Sequence, residues 1–405
     1  MFILSTIRAF LLLLVITLIG CSGSDSDLSE GNAEVNSFNI KSLSVTADDT
    51  GTATFVVGIS AESSAVSFTA FCDDNLIIAF QDISNPNGVK ISTSGSIATF
   101  TGQEFYNRSP ISTNYPASPT TFGKLIGGNY IVKVSVKKKN QNFAPFSSVR
   151  LSYVTKEDSG NFNNSATVNI NAILSGALAD DPNNKNSIKS ALGKVQDMYS
   201  SQDIELAINV IERPDFPSQL PNPNDADHNQ LYEQISNSYT TAINLLFAVD
   251  VEKLHFPNSQ YAQSGFIPTP AIPSPRSGIA FSIKKLAGID GEFDKDRDDN
   301  PDQFQEYDDE TLQMASVIAH EIGHALGLKN SVELQNGEVI DSDTFSDTAS
   351  CIRTNNCESE RDTNRNIMFP YTLMRSGEGN KFYARDSLSE QQGIVIKQNV
   401  LVKIK

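Results

Sequence analysis

The chain has 405 residues, enough to bury two separate cores, so the sequence predicts two domains in addition to a targeting segment. Its formal net charge is -17, and the acidic residues are spread through Asp-rich loops rather than gathered in one tail. This charge argues against nucleic acid as a partner and suits a protein that binds cations.

The N-terminus predicts export. Arg8 is followed by an apolar stretch over residues 9–19, which is too short to span a membrane as a mature helix. Residues 1–20 are therefore expected to be a signal peptide. Residues 21–36 are rich in Ser, Gly and Asp and are expected to form a flexible tether.

The end of this segment predicts lipidation. The run Leu18-Ile19-Gly20-Cys21 resembles the lipobox of bacterial lipoproteins, in which the cysteine is diacylated and becomes the new N-terminus. Cys21 is then a membrane anchor. Ser22 resembles the residue that follows the cysteine in lipoproteins sent to the outer membrane, which implies the cell envelope as the location. An ordinary signal peptide with an incidental cysteine is the alternative.

Residues 37–160 predict a β-sandwich of the immunoglobulin-like kind. Short runs with period-two alternation are separated by Gly, Asn, Ser and Pro clusters, without helical periodicity. A spacer, an adhesive module and a prodomain all remain open as its role. Cys72 ends one of the apolar runs and is expected to be a buried thiol; the alternative is a latency-conferring cysteine that caps a metal. The predicted strands cover residues 52–59, 65–72, 76–80, 130–136 and 149–154.

Residues 165–405 predict an α+β domain. Val168, Ile170 and Ala172 alternate as a strand, and residues 188–199 place apolar side chains on one face of a helix. Further strands are expected at 206–210, 242–251 and 277–283. Together these elements predict a twisted sheet with two long helices packed on it.

A helix that begins at Glu310 carries the residues with chemical potential. His320 and His324 are four residues apart, so both imidazoles project from one face and can reach one tetrahedral zinc ion. Glu321 is then placed as the general base that takes a proton from the attacking water and hands it to the leaving amine. The core-facing stripe of the same helix is Ala315, Ile318, Ile322 and Ala325.

Two further residues frame this motif. Gly327 comes where the helix should stop, and a glycine there can adopt the left-handed conformation that turns the chain. Met368 follows at a distance that suits a turn beneath the metal. The pattern His320-Glu321-x-x-His324-x-x-Gly327 with a later Met turn resembles the metzincin zinc metalloproteases.

The resemblance covers roughly residues 165–400 and implies a zincin catalytic domain that cleaves protein or peptide substrates. Ser346-Asp347-Thr348 and residues 388–392 look like the pappalysin or cytophagalysin branch. Within that family, residues 278–283 would be the edge strand that aligns an extended substrate. The helix after the Met turn is expected to begin at a capping box, Ser387-x-x-Glu390.

The resemblance also assigns a third zinc ligand, three residues past the glycine, where this chain has Asn330. A neutral amide oxygen is a poor zinc ligand, so the site should bind zinc more weakly than three histidines would. Glu333, Asp341 or Asp343 could supply a carboxylate instead. Tyr371 stands three residues past Met368, and both a transition-state tyrosine and a tyrosine packed beneath the site remain open.

Two function classes therefore stay open. One is a zinc endopeptidase, and the other is a catalytically degenerate surface lipoprotein that uses the β-sandwich and the former active-site cleft for binding.

The other predicted sites are a calcium loop and a disulfide. Alternate carboxylates in the acidic loop suit calcium, and a solvated loop is the alternative. The calcium residues are Asp294, Asp296, Asp298 and Asp302, and a weaker calcium candidate is Asp341 with Asp343 and Asp347. The predicted disulfide joins Cys351 to Cys357, and zinc binding by this pair is the alternative.

Overall fold

The structure is a computed structural model. It describes residues 39–73, 75–91, 109–120, 123–138, 142–221, 226–238, 241–251, 262–264, 272, 274, 277–286, 310–335, 338–343, 345–348, 365–369, 373–375 and 382–405. All of them fall within one compact unit that spans Ser37–Lys405.

The first part of this unit consists of two antiparallel sheets around one core. One sheet has the order β1-β7-β3-β5 and the other has the order β2-β6-β4. Strand β2 shows why they pack face to face, because Ala53, Phe55, Val57 and Ile59 alternate inward between exposed or half-buried residues. The strands are β1 (Lys41–Thr46), β2 (Thr52–Ile59), β3 (Ala65–Phe71), β4 (Leu76–Ser84), β5 (Ile111–Tyr115), β6 (Gly128–Lys138) and β7 (Ser148–Lys156).

Every strand that the sequence predicted in this part is present, and β4, β6 and β7 are longer than expected. Cys72 differs from its expectation, because it is half-buried rather than buried. It follows the end of β3 and lines an open cavity of about 350 Å³ together with Arg150 and Glu233. The assignment of these sheets to the immunoglobulin-like class stays a prediction.

The second part is built on a six-stranded sheet that runs β13-β14-β11-β8, with β9 and β19 also paired to β8. The pairs β8–β9, β8–β11 and β11–β14 are parallel. Its strands are β8 (Ala166–Ser175), β9 (Ile204–Arg213), β11 (Ile243–Ala248), β13 (Ala262–Ser264), β14 (Ile279–Ser282) and β19 (Val402–Ile404). The shorter pairs are β10 (Gln219–Leu220) with β12 (Asp250–Val251), β15 (Val332–Gln335) with β16 (Glu338–Ser342), and β17 (Leu373–Arg375) with β18 (Phe382–Ala384).

Helices cover both faces of this sheet, as buried parallel strands require. The helices α2 and α5 share one apolar core with the inward residues of β8, whereas α3 packs on the opposite face against Ile173 and Leu246. The α2 side chains that the sequence placed on one face, from Ile188 to Tyr199, are buried in that first core. The helices are α1 (Ala177–Asp180), α2 (Pro182–Ser200), α3 (Ala226–Ser238), α4 (Ile283–Leu286), α5 (Glu310–Ala325) and α6 (Glu390–Gln398).

The expectation that residues 278–283 form an edge strand is wrong. Strand β14 pairs on one side with β11 and on the other side, antiparallel, with β13. Its backbone groups are therefore already used within the sheet, and a strand with both neighbours cannot accept an extended peptide. The outer position on this side of the sheet belongs to β13.

The predicted capping box is displaced by two residues. The N-cap of α6 is Ser389, whose hydroxyl accepts from the Gln392 backbone N–H, while the Gln392 side chain accepts from the Ser389 N–H. Ser387 instead bridges to the segment at Asn366, and its hydroxyl donates to the Arg365 carbonyl. By sequence, Ser387 and Ser389 are equally suitable N-cap residues. The contact of Ser387 with the segment at Asn366 leaves Ser389 as the residue that caps α6.

A buried lysine joins the two parts of the unit. Lys156, at the end of β7, donates from Nζ to the Lys397 carbonyl in the last turn of α6 at 2.6 Å, and lies 3.0 Å from an Asp158 carboxylate oxygen. Burial lowers the pKa of Lys156 to about 8, against the opposing effect of Asp158. The Lys156 ammonium therefore provides a hydrogen-bond donor to a carbonyl at the C-terminus of α6, a helix in the other part of the unit.

Replacing Lys156 by methionine is expected to lower the free energy of unfolding by about 1–3 kcal/mol, because the Lys397 carbonyl loses its donor and the buried ion pair loses one partner. Denaturant unfolding of the purified chain measures this. The control is Lys185→Met, which removes a more exposed pair with Glu212 and should change the free energy by less than about 1 kcal/mol. Equal effects of the two variants would contradict the role given to Lys156.

No helix in the described part of the chain is both long and apolar enough to cross a membrane.

Candidate metal centre

The predicted helix from Glu310 is present as α5, and it is enclosed by the core on more sides than the sequence suggested. The stripe at Ala315, Ile318, Ile322 and Ala325 is buried, and so are Met314, Val317 and Ala319. The Tyr199 hydroxyl of α2 donates to the Ala319 carbonyl at 2.9 Å. The backbone is thereby anchored immediately before His320.

Gly327 ends this helix in the manner expected. Its φ is +96°, a left-handed conformation that favours glycine. The Gly327 N–H donates to the His324 carbonyl at 3.0 Å, and the Leu328 N–H donates to the Gly323 carbonyl at 2.9 Å. These two bonds form a Schellman motif, which turns the chain so that Leu328 and Asn330 come back towards the histidines.

The two histidines face each other across one turn of α5. Their Nε2 atoms are 3.1 Å apart, and the ring planes cross at 80°. His324 Nδ1 lies 2.9 Å from the Leu328 carbonyl, and His320 Nδ1 lies 2.7 Å from the Ile367 carbonyl. A carbonyl can only accept, so the Leu328 contact leaves the His324 Nε2 as a lone-pair nitrogen.

Both imidazoles are held neutral by their surroundings. Burial lowers the pKa of His320 well below its usual range, and the charge of Arg385 and the neighbouring His324 lower it further. Burial also lowers the pKa of His324, although hydrogen bonds to Leu328 and Asn330 oppose that change. Neutral imidazole is the form that ligates a metal ion.

A tight turn supports the histidines from below. The Asn366 side-chain oxygen accepts from the Met368 N–H at 2.9 Å, and the Phe369 N–H donates to the Asn366 carbonyl at 3.0 Å. Gln392 of α6 holds the Asn366 amide group through contacts of 3.0 and 3.2 Å. The turn thus presents the Ile367 carbonyl to His320 and buries Met368 completely.

Met368 lies directly against the helix at Gly323, between the two histidines. A Cβ atom at position 323 would come within 2.4 Å of the Met368 sulfur. Alanine at this position is therefore expected to force Met368 or the helix to shift, whereas glycine allows the close approach.

Gly323→Ala is expected to destabilise the fold relative to Gly193→Ala by about 1–3 kcal/mol, the usual range for overpacking. Gly193 lies in α2, and a Cβ added there would have open space around it, so its replacement gains only helix propensity. Thermal unfolding of both variants supplies the comparison. If both substitutions stabilise the chain equally, the close contact of Met368 with the helix is not present in solution.

Asn330 and Glu321 lie beside the histidine pair. The Asn330 side chain hydrogen-bonds to His324. Glu321 is half-buried, and its negative charge raises the pKa of Arg385 against the effect of burial. Among the described residues no third His, Cys, Asp or Glu joins the histidines in a group that could hold a metal, which leaves Asn330 as the neighbour able to offer an oxygen. That finding also separates Cys72 from this centre.

Arg385, which is 2% exposed, was not among the predicted site residues. Its Nη1 lies 2.9 Å from His320 Nδ1 and also donates to the Phe369 carbonyl, while its Nε donates to the Ser316 hydroxyl at 3.2 Å. Burial lowers the pKa of Arg385 to about 9, and Glu321 opposes that change. No motif indicates this residue, because it reaches the site only through the packing of the segment after β18.

The histidine pair fits a metal ion, and the remaining neighbours fit it less well. Two zinc–nitrogen bonds of about 2.0–2.1 Å at a tetrahedral angle place their nitrogens about 3.3 Å apart. The observed Nε2 separation of 3.1 Å is close to that value. Against this, Asn330 offers a neutral amide, and the Arg385 guanidinium brings a positive charge to the edge of the centre.

The weaker acidic candidate lies beside α6. The Asp343 side chain accepts from the Phe345 N–H at 3.3 Å, and an Asp347 oxygen accepts from the Gln391 N–H at 2.8 Å. Burial raises the pKa of Asp343 to about 6. Asp341 is in β16, paired with Glu333 of β15. Calcium at these residues stays a prediction.

Several predicted sites lie outside the described residues. They are the signal peptide and tether, the lipidation site Cys21, the calcium loop with Asp294, Asp296, Asp298 and Asp302, the disulfide residues Cys351 and Cys357, and Tyr371.

The chain matches no protein-family model and no curated protein. Among solved structures it is compared with a family two carbohydrate esterase from Cellvibrio japonicus, at 7% sequence identity over 51% of this chain and 79% of that chain. The TM-score of that pair is 0.12, which is too low to carry an argument about fold or function.

Proposed function

We propose that this chain is a zinc-dependent endopeptidase of the cell envelope that hydrolyses peptide bonds in proteins or peptides. The observation that carries the proposal is the convergence of His320 Nε2 and His324 Nε2 at 3.1 Å, next to Glu321 on the same helix. Two neutral imidazoles aimed at one point, with a carboxylate beside them, are the protein groups that metal-assisted hydrolysis requires.

Each residue of the proposed zinc site has a separate role. His320, His324 and Asn330 would hold the ion, and Met368 forms the floor beneath the two histidines. A zinc ion bound there supplies Lewis acidity, which polarises a substrate carbonyl and lowers the pKa of water. Glu321 accepts the proton of the attacking water and returns it to the leaving amine. The Leu328 carbonyl orients His324 through its Nδ1.

A second function has specific support. Asn330 would offer the metal only a neutral amide oxygen, and Arg385 places a guanidinium 2.9 Å from His320 Nδ1. Both features weaken affinity for a cation, and they favour a catalytically degenerate lipoprotein in which the same cleft serves only for binding. The two functions differ in whether the purified chain carries zinc and cleaves protein.

The test is to purify the chain, measure its zinc content by elemental analysis, and incubate it with an unfolded protein substrate. The expected result is one zinc ion per chain and cleavage that a chelator abolishes and added zinc restores. The His320→Ala and His324→Ala variants should lose both properties. A chain that contains no zinc after incubation with the metal and cleaves nothing would leave the degenerate lipoprotein as the function.

The proposed envelope location has its own test. Replacing Cys21 by serine removes the thiol that would be acylated, so the chain is expected to move from the membrane fraction to the soluble fraction of expressing cells. Fractionation with detection by antibody measures the shift. Unchanged membrane attachment of Cys21→Ser would contradict lipidation at this residue.

A further inference from the structure

The Nδ1 atom of His320 has two neighbours, one of which needs a hydrogen-bond donor at this position and the other an acceptor. The Ile367 carbonyl, 2.7 Å from Nδ1, can only accept a hydrogen bond, whereas Arg385 Nη1, 2.9 Å from the same atom, can only donate one. A neutral imidazole carries a single ring proton. His320 can therefore satisfy the carbonyl with a proton on Nδ1, or the guanidinium with that proton on Nε2, but never both.

The second histidine distinguishes these two tautomers. His324 donates from Nδ1 to the Leu328 carbonyl, so its Nε2 presents a lone pair towards His320. With the proton of His320 on Nε2, the two rings are joined by a hydrogen bond over 3.1 Å. With the proton on Nδ1, two lone pairs oppose each other over the same distance. That second arrangement is favourable only when a cation lies between them.

We propose that Arg385 is a positioning residue that holds His320 in the Nε2-protonated tautomer while no metal is bound, so that metal binding must first break the Arg385–His320 hydrogen bond. In the metal-free chain this tautomer has two hydrogen bonds, one of them charge-assisted and therefore the stronger kind. The inference rests on the proposed metal site, and it adds that the Arg385–His320 hydrogen bond lowers the affinity of that site for a metal.

The exchange leaves the charge of the imidazole unchanged. Before Nε2 can offer a lone pair to a metal, the Nε2 proton leaves to solvent and Nδ1 takes one proton from solvent, and the new N–H donates to the Ile367 carbonyl. Arg385 keeps its bonds to the Phe369 carbonyl and to the Ser316 hydroxyl. The guanidinium thus stays anchored between the turn and α5 while its contact with His320 is released.

The first experiment measures metal affinity by titration calorimetry of the full-length chain in detergent, with Zn²⁺ and with Co²⁺. Arg385→Met removes the donor and the charge while keeping an unbranched side chain. The expected result is a Kd at least tenfold lower than that of the unchanged chain. The matched control is Arg365→Met, which removes a neighbouring arginine paired with Asp386 and should leave the Kd unchanged. An unchanged or higher Kd for a folded Arg385→Met variant overturns the proposal.

The second experiment does not depend on the variant folding. The chain contains four histidines, so ¹⁵N-histidine labelling gives a small set of ring signals, and His320→Gln identifies those of His320. In the metal-free chain the expected signature is a protonated Nε2 and an unprotonated Nδ1. A protonated Nδ1 overturns the proposal. If neither chain binds metal, the proposed zinc function fails, while this spectrum still decides the role of Arg385.

Discussion

Replacing Glu321 by glutamine is expected to lower the rate of peptide hydrolysis by about 10²–10⁴-fold and to leave the zinc content unchanged. Glutamine keeps the shape and the position on α5, but its amide cannot take a proton from water. The zinc content should persist because the assigned ligands are His320, His324 and Asn330. The separation of these two effects is what distinguishes a general base from a ligand.

The control for this experiment is Glu157→Gln, which removes the same charge from an exposed position after β7. It should hydrolyse substrate at the rate of the unchanged chain. Initial rates with a fluorogenic peptide and elemental analysis of the same preparations give both quantities. A Glu321→Gln variant that cleaves at the full rate would remove Glu321 from the chemistry, and one that loses its zinc would make Glu321 a ligand.

Replacing Asn330 by histidine is expected to lower the zinc Kd by about tenfold to a hundredfold. Zinc affinity typically changes by the same factor when a metal ligand loses a residue that hydrogen-bonds to it. The reason is the donor, since an imidazole nitrogen binds zinc more strongly than a neutral amide oxygen. The backbone favours the change, because the Gly327 turn and the bond from the Ser331 N–H to the Met368 carbonyl hold position 330 beside His324.

The matched control is Lys329→His, which adds the same imidazole one residue earlier in the loop. It should not tighten binding, because the residue hydrogen-bonded to His324 is Asn330 and not Lys329. Competition with a coloured chelator gives the zinc Kd of all three chains. Equal affinities of Asn330→His and the unchanged chain would mean that position 330 does not reach the metal, and that the third ligand must come from elsewhere.

Local features of the fold could be predicted from the sequence because each rests on neighbours along the chain. The period-two runs predict β2, β3 and β7, and the three- and four-residue spacing predicts α5. The left-handed turn at Gly327 follows from a glycine placed after the last apolar residue of the stripe. The facing of His320 and His324 follows from the helical repeat alone.

Features that depend on residues distant in sequence could not be predicted in the same way. The residues of strand β14 form the same short apolar run whether or not β13 pairs with its outer side, so the sequence pattern does not show that β14 has a neighbour there. Arg385 reaches His320 across a separation of 65 residues, and no pattern of spacing encodes that contact. Gln392 likewise supports the turn through Asn366, although the sequence shows only a residue near a helix start.

Helix α5 is packed into the main core along most of its length, with Met314, Ile318 and Ile322 fully buried. The shape of the centre is thus stabilised by the same apolar burial that stabilises the domain, rather than by the ion. Small zinc domains behave in the opposite way, since they unfold when the metal is withdrawn. If the centre holds zinc as proposed, a chelator should leave the chain folded, and added zinc should bind again without refolding of the chain.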